Sequence, residues 1–431
     1  MKIILLLFLF IIQSRTICGQ VPIEATSNLI LLNPNGYETI SQGKRYPITW
    51  SFTRKFNSFN IDLSIDGGKT WTKIVKNLPG DQYRYDWEVG RELSGSCKVR
   101  VSGTLEQEVI VNDESDNDFT IVWPNLFFDD FSYTNNSDYK LKQRGWEIIN
   151  HNSSPPCRGS KYGKEMVSFE NDSMLQANKF LVLSTSVSDD IDHIKFSRIE
   201  TNKQTMKIFK EGTYVARVKF DNDPAKYGDG NVETFYAIND RKCNDRKHSE
   251  CDFEYLPYDV WDKTGDRSSS LHLASWEAHG CTGRDQNRSE TDIPLFSDEW
   301  ELLRFEALDG ENISYFKGDH LLNIHNTSNQ YHSVYPDSDM QIAFANWVWA
   351  KNPCEYQIGE SLDTRKSNFK VDYVFYFKKN LEMIDSYDLT ADEIESIVNQ
   401  LRAAGISFVN TVQGHSIAKI DDVTEEELIM K

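Results

Sequence analysis

The sequence reads as an all-β chain: a small β-sandwich, then a large two-sheet β-jelly roll, then a short C-terminal helix. Three observations predict this. Apolar and polar residues alternate at period two in many short runs, the spacing that turns one face of a strand to a core and the other to water. Turn signals such as Asn33-Pro34-Asn35-Gly36 separate the runs. Helical spacing enters only after residue 388.

Residues 1–19 are expected to be a signal peptide. Lys2 is the charged start, and Ile3 to Ile12 is an apolar run too short to span a bilayer. Thr16-Ile17-Cys18-Gly19 offers a cleavage site before Gln20. No later apolar run is long enough to cross a membrane, so the protein is expected to be secreted, without a membrane span, and monomeric.

Residues 24–122 contain alternating runs such as Tyr46-Pro47-Ile48-Thr49-Trp50-Ser51-Phe52, Asn60 to Ile65 and Lys98 to Ser102. Strands at this spacing over about a hundred residues predict a β-sandwich. One run, Ser64-x-Asp66-x-Gly68-x-Thr70-Trp71, fits the Asp-box hairpin of sialidase propellers. A propeller repeats that unit in every blade, and the chain holds one copy. A capped turn with a packed Trp is therefore expected. Pro124 marks the boundary, and strand patterns resume over 126–380, a length that suits a jelly roll. Thr390-Ala391-Asp392-Glu393 is a capping box, followed by Ile394, Ile397, Val398 and Leu401 at helical spacing and by Gly405. That predicts a docked helical segment over 388–411, with an acidic tail over 412–431.

Composition narrows the partner. The 47 basic and 66 acidic residues give a net charge of −19, and loss of Lys2 and Arg15 with the leader takes it to −21. Such a surface repels phosphate backbones, so nucleic acid is not an expected partner. The 12 % aromatic content, with ten Trp, suits stacking on sugar faces. Six cysteines follow the leader: Cys97, Cys157, Cys243, Cys251, Cys281 and Cys354. Export permits disulfides. Cys97 and Cys251 lie inside strand runs and read as buried thiols. Cys243 and Cys281 flank the strands around residue 250 and are the expected pair, although six thiols allow fifteen full pairings. No cysteine spacing resembles a zinc site. Sequons stand at Asn135, Asn152, Asn171, Asn287, Asn312 and Asn326.

The chemistry centres on Glu250-Cys251-Asp252-Phe253-Glu254. On a strand the three acids share one face, and Cys251, Phe253 and Tyr255 share the other. Retaining glycosidases need two carboxyl groups about 5–5.5 Å apart. The Cα atoms of Glu250 and Glu254 would lie about 13 Å apart at roughly 3.3 Å per residue, so both side chains must lean inward. The charge of Asp252 between them would raise a neighbour's pKa and hold one Glu protonated. Such a triplet also occurs at Glu114-Ser115-Asp116-Asn117-Asp118, in a loop pattern; context separates the two.

The run His248-Ser249-Glu250-Cys251-Asp252-Phe253-Glu254-Tyr255-Leu256 resembles the signature of glycoside hydrolase family 16, which includes endo-β-glucanases, lichenases, carrageenases and xyloglucan endotransglycosylases. Further matches are Gly212 to Lys219, Phe235 to Ile238, Glu299-Trp300, Tyr315 to Asp319 and Val371 to Val374, so the likeness covers about 126–380. It implies that Glu250 is the nucleophile, Asp252 a helper and Glu254 the acid/base, in the regular form without a bulge. The segment 24–122 resembles the immunoglobulin-like domain that precedes many secreted microbial and fungal cell-wall proteins, through Pro34-Asn35-Gly36, Ile48-Thr49-Trp50, the Ser64 to Trp71 hairpin and Cys97 to Val101. It implies an accessory module without catalytic groups.

Sugar-facing candidates are His272 and Trp276, where the family often carries Gln or Asn, together with Trp347 of Trp347-Val348-Trp349 and the loop residues Trp261 and Tyr258. Each could equally be core. The expected activity is cleavage of internal bonds in a neutral β-glucan-like polysaccharide, without cofactor or catalytic metal. A structural calcium at Asp129, Asp130 and Asp372 is the one cation considered. Arg241, Lys242, Arg246 and Lys247 precede the acids and leave a charged polymer open. A non-catalytic, lectin-like jelly roll and a transglycosylase with the same residues are the alternative readings.

Overall fold

The computed structural model describes residues 29–150, 161–171, 179–186, 195–202, 211–221, 231–239, 248–257, 269–276, 288–295, 297, 299–326, 334–336, 338–348, 366–378 and 389–412. The expected signal peptide and acidic tail lie outside them, apart from Val412, as do Cys18, Cys157, Cys243, Cys281, Cys354, Tyr258, Trp261, Trp349 and the basic residues before His248.

The first body of sheet spans 29–122. Leu29–Asn33, Arg45–Phe52 and Arg84–Glu88 form a three-stranded sheet, and Thr39–Ser41, Phe119–Val122, Ser94–Thr104, Ser58–Ser64 and Thr72–Pro79 run side by side in a second, with Ile110–Glu114 also on Ser94–Thr104. Alternation drives the pairing of faces: Ile48 and Trp50 of one sheet meet Phe59, Ile61, Val99 and Val101 of the other in one core. Trp50 and Phe59 meet edge to face at 5.3 Å. Cys97 is a buried free thiol in this core, as expected. The Ser64–Trp71 hairpin is a capped turn: Asp66 Oδ1 accepts from the backbone of Lys69 at 3.0 Å and of Thr70 at 2.9 Å. Gly67 and Gly68 take φ of 71° and 90°, which glycine adopts without steric cost.

The described strands from Leu126 onward form the jelly roll. Seven antiparallel strands make the sheet that carries the acids, in the order Trp146–Ile148, Lys195–Thr201, Gln341–Val348, Asn231–Asn239, Ser249–Leu256, Ser270–Trp276 and Arg288–Pro294. The opposing sheet is organised around the long strand Lys366–Phe377. One edge of it pairs with Lys179–Ser186 and then Leu126–Asp129; the other pairs with Gly212–Lys219. Trp300–Ala307, Ile313–Lys317 and His320–His325 continue outward from there. Lys195–Thr201 turns the corner, since Lys195 also pairs with Ser186 of the opposing sheet.

The core between the two sheets is aromatic. Phe235 lies 5.2 Å from Phe344, 6.1 Å from Phe253 and 5.8 Å from Phe305, centroid to centroid. Tyr214 stacks on Phe305 at 4.5 Å.

The C-terminal segment docks outside the opposing sheet. Its helix runs Ala391–Ala403 with the expected capping box at Thr390 and Glu393. Ile394, Val398 and Leu401 cover Phe128, Val215, Tyr373 and Phe375, and Leu93 and Trp123 pack against the same cluster. After Gly405 the chain re-enters the sheet: Phe408–Asn410 pairs with Leu126–Asp129. Sheet strands therefore continue beyond residue 380, because Leu126–Asp129 would otherwise leave one edge unpaired. The acids considered for calcium meet protein donors. Asp372 accepts from Arg217 Nη1 and Arg402 Nη2, each at 2.7 Å. Asp129 accepts from Phe131 N and Trp146 Nε1, each at 2.7 Å, and from Tyr133 OH. Asp130 accepts from Ser132 N at 3.1 Å.

Among the described residues no helix is long and apolar enough to cross a membrane.

Phe235→Ala should lower stability by about 3–5 kcal/mol, because it leaves a cavity in a close-packed aromatic core. The unfolding midpoint in urea is the measurement.

Candidate active site

Ser249–Leu256 is the strand on which the acids stand, and both its edges are paired. Seven registered residue pairs join it to Asn231–Asn239 and seven to Ser270–Trp276. Cys251, Phe253 and Tyr255 are wholly buried in the aromatic core. Cys251 is a free thiol, as expected. Burial fixes the register, since a one-residue slip would drive three acids into that core. Glu250, Asp252 and Glu254 therefore share the opposite face.

The ladder places neighbours on either side. Glu250 lies between Ile238 and Trp276, Asp252 between Tyr236 and Ala274, and Glu254 between Thr234 and His272. His272 and Trp276 stand on the face of the acids. Trp347 does too, since its Nε1 donates to Thr234 Oγ1 at 3.1 Å. Trp261 and the Cys243–Cys281 pair lie outside the described residues.

The three carboxyl groups have unlike surroundings. Glu250 keeps 16 % side-chain exposure and meets His248 Nε2 at 2.9 Å through Oε2. Asp252 is buried, and burial holds its pKa well above the usual carboxylate range, with Glu250 and then Glu254 adding to the rise; a hydrogen bond from the Trp276 side chain opposes it. Glu254 is pushed up to about 8, first by burial and then by the charges of Glu250 and Glu290. The residue as a whole is only partly buried. Three like charges this close cannot all ionise cheaply.

His248, which opens the run carrying the acids, shares their face by the i, i+2 rule; the remaining participants carry no motif of their own. On the edge strand, Asp292 Oδ1 meets His272 Nδ1 at 2.5 Å and Glu290 Oε1 meets its Nε2 at 3.8 Å. On the far side of Tyr236, the Arg198 guanidinium lies 5.6 Å from the ring centroid and its Nε donates to Glu200 at 2.8 Å. Alternation in Arg198-Ile199-Glu200 and Glu290-Thr291-Asp292 is the signal that could have found them, but it does not say which strands the fold sets beside residue 252.

A polar network supports the face from below. Tyr315 OH donates to the carbonyl of Ala274 at 2.7 Å and meets Ser275 Oγ at 2.7 Å; Ser275 Oγ also meets His325 Nδ1 at 2.9 Å. Burial, with a smaller contribution from His272, depresses the His325 pKa to about 4, so its imidazole is neutral near pH 7. Ser275 is fully buried and points away from the acids. This Ser–His contact fixes the strand of Trp276 and His272; it is no nucleophile.

Among the described residues no group of three or more His, Cys, Asp or Glu is placed to hold a metal ion.

No protein-family model and no curated protein matches the chain in sequence. Solved structures do resemble it. A glycoside hydrolase family 16 endo-glucanase from Bacteroides ovatus is 16 % identical, with a TM-score of 0.45 over 58 % of this chain and 99 % of that one. A β-glucanase from Bacillus licheniformis is 14 % identical, with a TM-score of 0.40 over 59 % and 98 %. The catalytic domain of a laminarinase from Thermotoga maritima is 16 % identical, with a TM-score of 0.41 over 61 % and 100 %.

Glu290→Gln should move the Glu254 pKa downward, because it removes one of the charges that raise it. A carboxyl-carbon NMR titration reads the shift directly; an unmoved pKa would contradict the coupling.

Proposed function

We propose that the protein is a secreted retaining endo-glycosidase that cleaves internal β-glycosidic bonds of a neutral, β-glucan-like polysaccharide. The observation that carries this reading is the division of the acid face into unlike carboxyls. Glu254, with a pKa of about 8, holds a proton at neutral pH; Glu250, in contact with His248 and partly open to solvent, is the group we assign as nucleophile.

The proposed steps follow from that division. Glu254 gives its proton to the leaving glycosidic oxygen while Glu250 attacks the anomeric carbon, forming a glycosyl ester as the glycosidic bond breaks. Glu254, now ionised, takes a proton from water, and that water displaces Glu250 from the sugar. Asp252 stands between them, its elevated pKa letting it carry a proton and relieve repulsion as Glu254 ionises. Trp276, His272 and Trp347 line the same face, where flat and hydrogen-bonding groups suit an extended sugar chain. No cofactor or metal enters the proposed steps. The negative charge of the chain favours a neutral polymer, and residues 24–122 act in this reading as an accessory module.

Glu250→Gln should abolish turnover by removing the nucleophile. Glu254→Gln should do nearly as much on substrates with poor leaving groups, with both variants folded. Wild-type-like turnover by either purified variant would refute the assignment. The product sizes released from barley β-glucan, laminarin, xyloglucan and agarose identify the substrate.

The pH dependence has a definite sign. The acid form of Glu254 is present below about pH 8 and lost above it, so kcat/KM should fall as pH rises through that range. Glu254→Gln should lack this alkaline limb in a pH profile measured with an activated aryl glycoside.

A further inference from the structure

A cavity lies beyond the outer edge of the acid-bearing sheet, against Trp146–Ile148, with a volume of about 610 Å³. Its floor is the edge of the core at Leu141, Trp146 and Ile148, and Tyr139, 43 % exposed, supplies the open ring beside it. Glu147 and Asn202 add a polar side, where Asn202 Nδ2 donates to Glu147 Oε2 at 3.1 Å. Lys142 and Lys164 balance Asp138 and Glu147 in charge.

This combination selects a class of ligand. A pyranose presents an apolar C–H face and a rim of hydroxyls that both donate and accept. The exposed ring of Tyr139 meets the first, and an amide–carboxylate pair meets the second. An anion finds no excess of positive charge here. A purely apolar ligand would cover the charged rim without hydrogen-bonding it.

The ladder also relates this cavity to the acids. Glu147 stands opposite Glu200, Glu200 opposite Ala343, Ala343 opposite Tyr236, and Tyr236 opposite Asp252. The cavity thus terminates the cross-strand row that passes through Asp252, four strand spacings away, or roughly 19 Å at ~4.8 Å per strand.

We propose that this cavity, on Tyr139, Glu147 and Asn202, is a sugar-binding site separate from the cleavage centre, which anchors the same neutral polysaccharide several units from the bond that is cut. The proposal rests on the glycosidase reading for its ligand. Its energetic effect is confined to chains long enough to reach both places, because the remote contact adds to binding without changing the reacting groups.

The test uses the full chain carrying Glu250→Gln, which stops turnover and leaves the cavity intact, and calorimetry with short and long fragments of barley β-glucan and of laminarin. Long fragments should bind at least about tenfold more tightly than short ones. Adding Tyr139→Ala should erase that preference while short-fragment binding and the unfolding midpoint stay unchanged. Tyr139→Phe, which keeps the ring, should preserve it. In the active protein, Tyr139→Ala should raise KM for polymer and leave kcat on short substrates unaltered. Long-fragment binding insensitive to Tyr139, or binding of neither fragment by a folded protein, overturns the proposal. Normal hydrolysis with no Tyr139-dependent preference removes this site and keeps the glycosidase; a Tyr139-dependent preference in a protein that hydrolyses none of the polymers does the reverse.

Discussion

Glu250, Asp252 and Glu254 repel one another whenever two of them are ionised, and burial thins the water that would otherwise screen that repulsion. The strand carrying them is therefore unfavourable on one face and must be held by everything else it touches. Its other face answers with Cys251, Phe253 and Tyr255, all without solvent exposure. Its two edges answer with complete antiparallel ladders. Proton uptake supplies the remaining relief: with Asp252 and Glu254 raised in pKa, the face lowers its own charge at neutral pH. The same relief equips one carboxyl as an acid. Stability and chemistry here are one electrostatic problem.

The polar network on the core side belongs to that problem as well. Tyr315, Ser275 and His325 satisfy one another across the two sheets, tying the strand of Trp276 to the hairpin of the opposing sheet. Buried hydrogen-bonding groups are costly only when left unpaired. Paired, they set the height at which Trp276 meets Asp252. The neutral His325 avoids placing an uncompensated cation beneath His272.

Much of this was legible in the residue order, and the parts that were not share a cause. Period-two alternation revealed the strands, the two-faced character of residues 250–255, and the buried thiols Cys97 and Cys251, because each depends only on near neighbours in sequence. The capping box at Thr390 was legible for the same reason. Tyr236, Arg198 and Glu290 were not, since their relation to the acids depends on which strands the fold sets side by side. His248 stood in the recognised run, but its contact with Glu250 needed side-chain geometry. The return of Phe408–Asn410 to the sheet was hidden by its brevity: three residues carry too little pattern to be told from a loop.

That return has a kinetic meaning. Leu126 N donates to Thr411 Oγ1 at 3.0 Å across 285 positions of sequence, and Leu126–Asp129 has its neighbours in Lys366–Phe377 and Phe408–Asn410. The strand that begins the jelly roll is thus completed by the residues made last within it. During synthesis the sheet bearing the acids could pair early, while its opposing layer would wait with an open edge until residue 410 had emerged. Such long-range closure slows folding and prolongs exposure of unpaired strand. Closure of this domain is therefore expected late in its folding, and the interval before closure is when it is most open to aggregation.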